Sequence, residues 1–215
     1  MNREELIEYF DVSRETAERL DIYAETLLQW QPKINLISPR TVDELWGRHF
    51  ADSAQLFSLL PNQPSHTADL GSGAGFPGLV LAIMRAETYA DRGEEKVRLV
   101  ESDQRKAAFL REVSRKVDVA VDIDVSRIEY HANQSSFKTV NTVTARALAP
   151  MHKLLGYAVP FFSPATTGLF LKGREVEAEI KDAEDHFAFA YRMVPSVTDP
   201  EGRIVVVTDL VPRAR

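Results

Sequence analysis

The amino-acid sequence predicts an α/β fold: a parallel, doubly wound, seven-stranded sheet with an N-terminal helical extension. From residue 65 onward, short apolar strand segments alternate with amphipathic helical segments, and this pattern is typical of parallel sheets. The last two strand segments have no helix between them, which predicts a closing antiparallel hairpin. We therefore expect the strand order 3-2-1-4-5-7-6 and two units, residues 1–60 and 65–215.

Residues 1–60 have the apolar spacing of helices. Ser13 is placed to cap a helix that ends before Pro32. The apolar positions of this helix recur at intervals of about one turn: Ala17, Leu20, Ala24, Leu27 and Leu28. Ser38 and Pro39 are typical of the start of a further helix. The apolar face of that helix comprises Val42, Leu45, Trp46, His49 and Phe50.

The remaining chain divides into alternating elements. The predicted strands are residues 67–70, 96–100, 119–125, 142–145, 168–171, 189–197 and 203–208. The predicted helices are residues 77–84, 104–116, 151–161 and 175–186. Residues 87–95 are polar and charged, and we expect them to form an excursion on the surface.

The composition excludes several kinds of chemistry. The chain has 215 residues and no cysteine, so disulfides, cysteine-ligated metals and cysteine nucleophiles are excluded. Its net charge of −6 counts against non-specific binding to naked nucleic acid but is compatible with a ribonucleoprotein substrate. The chain shows no signal-peptide pattern, no apolar run of roughly 18 residues and no metal-ligand spacing. We expect a cytoplasmic monomer without a metal.

A glycine-rich segment follows the first predicted strand and opens a helix. It is Asp-Leu-Gly-Ser-Gly-Ala-Gly-Phe-Pro-Gly at residues 69–78, which we call the glycine loop. Glycines let a backbone turn sharply and approach a ligand closely. The motif G-x-G-x-x-G from residue 73 matches the dinucleotide fingerprint, whereas the longer run from Asp69 matches the loop that binds S-adenosylmethionine in methyltransferases.

Asp69 distinguishes these two interpretations. A carboxylate at the end of the strand would repel the pyrophosphate of a dinucleotide. S-adenosylmethionine has no phosphate and carries an ammonium group and a sulfonium, which a carboxylate attracts. The loop therefore favours the methyl donor, with Gly71 and Gly73 close to it. A nicotinamide-dependent oxidoreductase and a glycine turn without a ligand remain alternatives.

Two further segments are candidates for binding the nucleoside part of this cofactor. Glu101 ends the second predicted strand, where an acid can accept both ribose hydroxyls. Ile128 and Glu129 follow the third strand, in the loop that borders the adenine in this fold. The alternatives are a solvated carboxylate at residue 101 and an ordinary surface loop at residues 127–129.

Seven segments carry a resemblance to a known family. They are WQPKINLIS at 30–38, RHFADS at 48–53, DLGSGAGFPG at 69–78, VES at 100–102, RKAAFL at 105–110, TARALA at 144–149 and LKG at 171–173. On these segments the chain resembles the bacterial 16S ribosomal RNA guanine-N7 methyltransferases over nearly its whole length. The glycine loop alone is typical only of the wider methyltransferase superfamily. The combination of all seven segments is more specific for this one family.

The resemblance implies methylation of one guanine, position 527 of 16S ribosomal RNA, in the small ribosomal subunit. It implies S-adenosylmethionine contacts at Gly71, Phe76, Ile128, Glu129 and Arg146. Guanine N7 has a lone pair and no proton to lose, so its methylation requires no general base. Catalysis would then depend mainly on positioning the two reactants.

Arg146 and Lys172 are the candidate catalytic residues. Arg146 ends the fourth strand and Lys172 follows the fifth, at the carboxyl edge where open α/β sheets bind ligands. Arg146 could contact cofactor, base or phosphate, or it could form a structural ion pair. The cations that could contact RNA phosphates are Lys33, Arg40, Arg48, Lys106, Lys172 and Arg174. We expect His49 to be a structural histidine paired with Asp52.

Other functions remain open from the sequence. One is methylation of another RNA or of a small molecule by the same cofactor. Another is a non-catalytic module that binds S-adenosylmethionine and assists ribosome assembly. Transfer of label from the cofactor to RNA distinguishes these functions from the leading hypothesis.

Overall fold

The predicted sheet is present in the computed structural model, which describes residues 1–87, 96–133 and 140–213. Within these residues seven strands form one sheet in the order β3-β2-β1-β4-β5-β7-β6, as predicted. The strands are β1 (His66–Leu70), β2 (Lys96–Val100), β3 (Asp122–Asp124), β4 (Thr142–Arg146), β5 (Thr167–Lys172), β6 (Phe187–Pro195) and β7 (Arg203–Pro212). The first five strands of the chain, β1 to β5, are mutually parallel. Strand β7 pairs antiparallel with β5 and β6. The closing hairpin is therefore confirmed.

The helices also follow the predicted order. They are α1 (Arg3–Tyr9), α2 (Arg14–Trp30), α3 (Asp52–Ala54), α4 (Gly78–Ala86), α5 (Gln104–Val117), α6 (Met151–Ala158) and α7 (Val176–Glu184). The Ser13 side chain caps α2 by accepting a hydrogen bond of 3.1 Å from the amide of Thr16. The predicted excursion at 87–95 lies outside the described residues except for Glu87. No described helix has the length and apolar character needed to cross a membrane.

Two predictions in the N-terminal segment are wrong: the helix after Pro39 and the burial of Leu28. The helix expected after Pro39 is instead a 3-10 turn, Pro39–Thr41, followed by a π-helical turn, Trp46–Ala51. At the end of the π-helical turn the amide of Asp52 reaches the carbonyl of Gly47, five residues earlier. Such turns occur frequently at functional sites because they change the direction of a few side chains.

Helix α2 buries four of its five predicted apolar positions, Ala17, Leu20, Ala24 and Leu27, and it also buries Tyr23, which the predicted pattern did not include. Leu28 is 45% exposed, whereas Tyr23 is fully buried with Leu20 and Leu27. Positions 20, 23 and 27 are three and four residues apart, so they form one stripe on the helix. The aromatic ring of Tyr23 thereby points into the protein instead of into solvent.

The N-terminal helices and the sheet region share a hydrophobic core. One cluster joins Leu20, Tyr23 and Phe50 of the N-terminal segment to Phe76 and Phe109 of the sheet region. A second cluster joins residues of β4, β5 and β7 to α6 and α7. Residues 1–60 therefore pack directly on the glycine loop.

Candidate active site

The glycine loop follows β1 and turns the chain into α4. Gly71, Gly73 and Gly75 have φ angles of +66°, +57° and +95°, which favour glycine strongly. A Cβ on Gly71 would lie 2.5 Å from Cδ1 of Leu148, so this glycine is needed for internal packing. A Cβ on Gly73 would meet only the carbonyl oxygen of Gly71, at 3.8 Å. Gly73 therefore leaves open space where a ligand can approach the backbone.

Asp69 lies under this loop and is fully buried. Its Oδ1 accepts a hydrogen bond of 2.8 Å from the hydroxyl of Thr144, and its Oδ2 accepts one of 3.2 Å from the amide of Gly78. Burial raises the pKa of Asp69 to about 6, although these hydrogen bonds and the charge of Arg146 oppose the rise. The carboxylate thus connects the loop to β4 and α4. Its direct contact with a ligand stays a prediction.

Glu101 follows the end of β2 and lies beside the glycine loop. Its two carboxylate oxygens accept hydrogen bonds from the amide of Gly73 at 2.8 Å and of Asp103 at 2.7 Å. Each carboxylate oxygen can accept more than one hydrogen bond, so both can still accept from ribose hydroxyls. Ile128 is buried in one apolar cluster with Val100, and Glu129 is exposed.

Phe76 connects the glycine loop to the N-terminal segment. Its ring stacks on that of Tyr23, with centroids 5.3 Å apart and an interplanar angle of 14°. The rings of Phe50 and His49 lie against it at 5.3 Å and 5.1 Å. The guanidinium carbon of Arg146 lies 5.1 Å from the centroid of Phe76, within the range of a cation–π contact.

Arg146, at the end of β4, is bound to the π-helical turn. Its Nη1 donates to the carbonyl of Arg48 at 2.9 Å and lies 3.5 Å from Oδ2 of Asp52. Its Nη2 donates to Nδ1 of His49 at 2.8 Å. The expected pairing of His49 with Asp52 is therefore wrong, because His49 bonds instead to Arg146 and to the hydroxyl of Thr41. Asp52 is the acidic partner of Arg146.

Lys172 lies at the same edge but is engaged within the protein. Its Nζ donates to the carbonyl of Ala149 at 2.9 Å and forms an ion pair with Glu179. Glu179 also accepts a hydrogen bond of 2.9 Å from the amide of Met151. The side chain of Lys172 is 9% exposed. A direct contact with phosphate would require its release from Glu179.

A cavity of about 1290 Å³ opens at the carboxyl edge of β4 and β5, and we call it the acceptor cavity. Its walls are the π-helical turn with His49 and Asp52, the segment Arg146–Pro150 and the turn between β6 and β7. Of the six cations predicted to contact phosphate, Arg48 and Lys172 line it, whereas Lys33, Arg40, Lys106 and Arg174 do not. Among the described residues no cluster of three acidic or histidine side chains could hold a metal.

Three side chains of this site were not predicted from the sequence: Tyr23, Thr144 and Glu179. Tyr23 was detectable from its helical spacing with Leu20 and Leu27. Thr144 and Glu179 had no detectable local pattern, because each acts on a residue distant in the chain.

The fold, the glycine loop after β1 and the acid at the end of β2 together define a class I methyltransferase of the S-adenosylmethionine-dependent type. A sequence model of the family described as rRNA small subunit methyltransferase G, or GidB, matches residues 16–204. The chain belongs to this family. The nicotinamide-dependent alternative is thereby excluded.

Individual relatives agree with this assignment. A protein of Paramagnetospirillum magneticum named ribosomal RNA small subunit methyltransferase G is 47% identical over 205 residues, covering 95% of this chain and 94% of that protein. A protein of the same name from Rhodospirillum centenum is 45% identical and covers 95% of this chain and 89% of its own length. A crystal structure of a SAM-dependent methyltransferase from Aquifex aeolicus has a TM-score of 0.54 at 15% identity, covering 78% of this chain and 93% of that one. This last likeness supports the fold.

Proposed function

We propose that the chain transfers a methyl group from S-adenosylmethionine to N7 of guanine 527 of 16S ribosomal RNA in the small ribosomal subunit. The names of the family and of the two relatives support a small-subunit RNA as the acceptor. The choice of guanine N7 depends on the family resemblance and on the chemistry of the acceptor cavity. We further propose that the protein acts as a monomer in the cytoplasm, where the subunits are.

The methyl donor is assigned to the glycine-loop side of the sheet edge. Gly73 offers a backbone that a ligand can approach, the family resemblance adds a contact at Gly71, and Glu101 offers acceptors for the ribose hydroxyls. Ile128 gives an apolar contact for the adenine, with Glu129 next to it. The cofactor supplies a methyl group on a positively charged sulfur. Arg146, which lies against the ring of Phe76 and lines the acceptor cavity, marks the boundary between the two sides, and Asp69 lies under the glycine loop.

One observation carries the choice of an acceptor nitrogen without a proton: the buried histidine beside Arg146 has both of its ring nitrogens engaged in hydrogen bonds. Nδ1 of His49 accepts a hydrogen bond from Arg146. Burial, and to a smaller extent the charges of Arg146 and Arg48, lower the pKa of His49 to about 3. Oδ1 of Asp52 accepts from Thr198 at 2.8 Å, and Oδ2 faces Arg146. With its ring held in this way His49 is not available as a general base, the carboxylate of Asp52 serves as the partner of Arg146, and guanine N7 needs no base.

The charges around the acceptor cavity fit a guanine base better than a phosphate chain. Seven carboxylates and four cationic side chains line it. Guanine presents N–H donors at its exocyclic amine, which carboxylates accept, whereas carboxylates repel phosphate. We assign Arg48 to contacts with the RNA backbone and Lys172 to positioning of the loop at Ala149. Residues 1–60 form one wall of this cavity and act with residues 65–215.

Incubation with labelled S-adenosylmethionine and small subunits from a strain that lacks the modification tests this function. Reduction and aniline treatment then cleave the RNA chain wherever 7-methylguanine has formed. We expect label in 16S RNA and one new cleavage, at position 527. Label elsewhere would favour methylation of another RNA, and cofactor binding without label would favour a non-catalytic module. Absence of label in both intact subunits and protein-free 16S RNA would overturn the proposal.

A further inference from the structure

We propose that Tyr23, on helix α2 of the N-terminal segment, is a positioning residue for the methyl-donor loop. Its side chain is fully buried, and its hydroxyl donates a hydrogen bond to the carbonyl of Ala74 in the middle of the glycine loop. The two residues are 51 positions apart in the chain. The N-terminal segment therefore contributes to the cofactor side of the site as well as to the acceptor cavity.

The next loop residue is fitted to the same hydroxyl. Gly75 has a φ of +95°, and a Cβ there would lie 2.6 Å from the hydroxyl oxygen of Tyr23. The absence of a side chain at Gly75 thus leaves the space that the hydroxyl occupies. Its amide also donates to the carbonyl of Ser72 at 2.7 Å, which closes the turn.

The third consecutive contact is with Phe76, whose ring stacks on the ring of Tyr23. Arg146 lies against the same Phe76 ring from the acceptor side. Tyr23 thus contacts Ala74, Gly75 and Phe76 in succession and orders them relative to Arg146. Burial raises the pKa of Tyr23 well above its ordinary value, so the hydroxyl remains a donor across the working pH range.

This arrangement has an energetic consequence for ligand binding. Three positive-φ glycines give the glycine loop many alternative conformations when it is not held. A loop that is already ordered in the free protein loses less conformational entropy when a ligand binds. The affinity of the protein for that ligand is therefore higher. The hydrogen bond to Ala74 supplies that order. Its loss should weaken cofactor binding without any loss of a group that touches the cofactor.

The inference depends on the proposed use of the glycine loop for S-adenosylmethionine, and it is tested by replacing Tyr23 with Phe. Y23F keeps the ring and its stacking and removes one oxygen atom. The matched control is T26V, because Thr26 lies on the same helix, is 1% exposed and donates to the carbonyl of Ile22 at 2.7 Å. Binding of S-adenosylhomocysteine to the full chain is measured by calorimetry.

We expect the dissociation constant of Y23F to rise about five- to tenfold, and that of T26V to stay within about twofold of the wild-type value. Hydrogen exchange of the free protein gives a second readout, in which the amides of Gly75 and Leu79 should exchange faster in Y23F only. Equal affinity and equal exchange in Y23F and the wild type would overturn the inference, as would equal losses in Y23F and T26V. If the wild-type chain itself binds no S-adenosylhomocysteine, the proposed cofactor site is wrong instead.

Discussion

Arg146 donates a hydrogen bond of 2.8 Å from Nη2 to Nδ1 of His49. A guanidinium has no acceptor, so this nitrogen of His49 must be unprotonated. The proton of the neutral ring is then on Nε2, which donates to the hydroxyl oxygen of Thr41 at 2.8 Å. That hydroxyl donates in turn to the carbonyl of Ser38 at 2.9 Å. A single tautomer of His49 thereby fixes the direction of Arg146 at the acceptor cavity.

The low pKa of His49 predicts a specific acid sensitivity. The folded-state pKa of about 3 lies below the ordinary value of 6.5, so the unfolded chain binds more protons between these two values. The stability that neutral His49 contributes is complete above pH 6.5 and is lost as the pH falls towards 3. From pH 7 to pH 5 the wild type should lose about 2 kcal/mol of unfolding free energy relative to H49Q. Urea unfolding at both pH values measures this difference, and parallel pH profiles would contradict it.

Replacing Arg146 with Lys should lower kcat/KM for small subunits. A lysine keeps the charge but lacks the planar guanidinium, whose two separate nitrogens reach the carbonyl of Arg48 and the ring of His49. We expect a decrease of about 30- to 100-fold, or about 2 to 3 kcal/mol of transition-state free energy. R115K is the control, because Arg115 is 71% exposed and pairs only locally with Glu112. Unchanged kcat/KM in R146K would contradict a role for the guanidinium group of Arg146 in the reaction.

Replacing Glu101 with Gln should weaken cofactor binding. Both carboxylate oxygens accept amides, so the NH2 group of a glutamine would face either Gly73 or Asp103 as a second donor. We expect the affinity for S-adenosylhomocysteine to fall about 10- to 100-fold. Asp122, paired with Arg98 on the surface between β2 and β3, supplies the control D122N. A dissociation constant of E101Q equal to that of D122N would remove Glu101 from the cofactor site.

The ion pair between Lys172 and Glu179 should act as one unit. Both contact the segment from Ala149 to Met151, Lys172 through a carbonyl and Glu179 through an amide. K172Q and E179Q should each lower the unfolding free energy by about 2 kcal/mol, because each leaves a partly buried charge without its partner. Both should raise the KM for subunits by a similar factor. A rise in KM confined to K172Q would instead support a direct contact of Lys172 with RNA.

The sequence predicted the sheet well because its information was local. Each strand or helix had its own apolar period, and the absence of a helix between residues 197 and 203 was enough to indicate the hairpin. The same holds for the glycine loop and Glu101. Each was recognised from its residue types and from its position at the end of a predicted strand. The two strands concerned, β1 and β2, are neighbours in the sheet.

Other parts of the site depend on which side chains the fold brings together. For Asp69, whose attraction to the ligand stays a prediction, the fold adds a partner that the sequence did not indicate, the hydroxyl of Thr144 on the adjacent strand. Lys172 was expected to face RNA, but Glu179 on helix α7 pairs with it. Such partners are set by strand register and helix packing, which no local pattern encodes. Tyr23 differs, since its helical spacing already indicated burial and only its contact with Ala74 required the fold.

The most direct test of the proposed reaction is the number of methyl groups that the wild-type chain adds to each 16S RNA. Small subunits that lack the modification are incubated to completion with labelled S-adenosylmethionine, and the incorporated label is counted against RNA. We expect a plateau at one methyl group per RNA, all of it released as 7-methylguanine from position 527. A plateau above one, label in a different nucleoside, or no incorporation would contradict the proposed function.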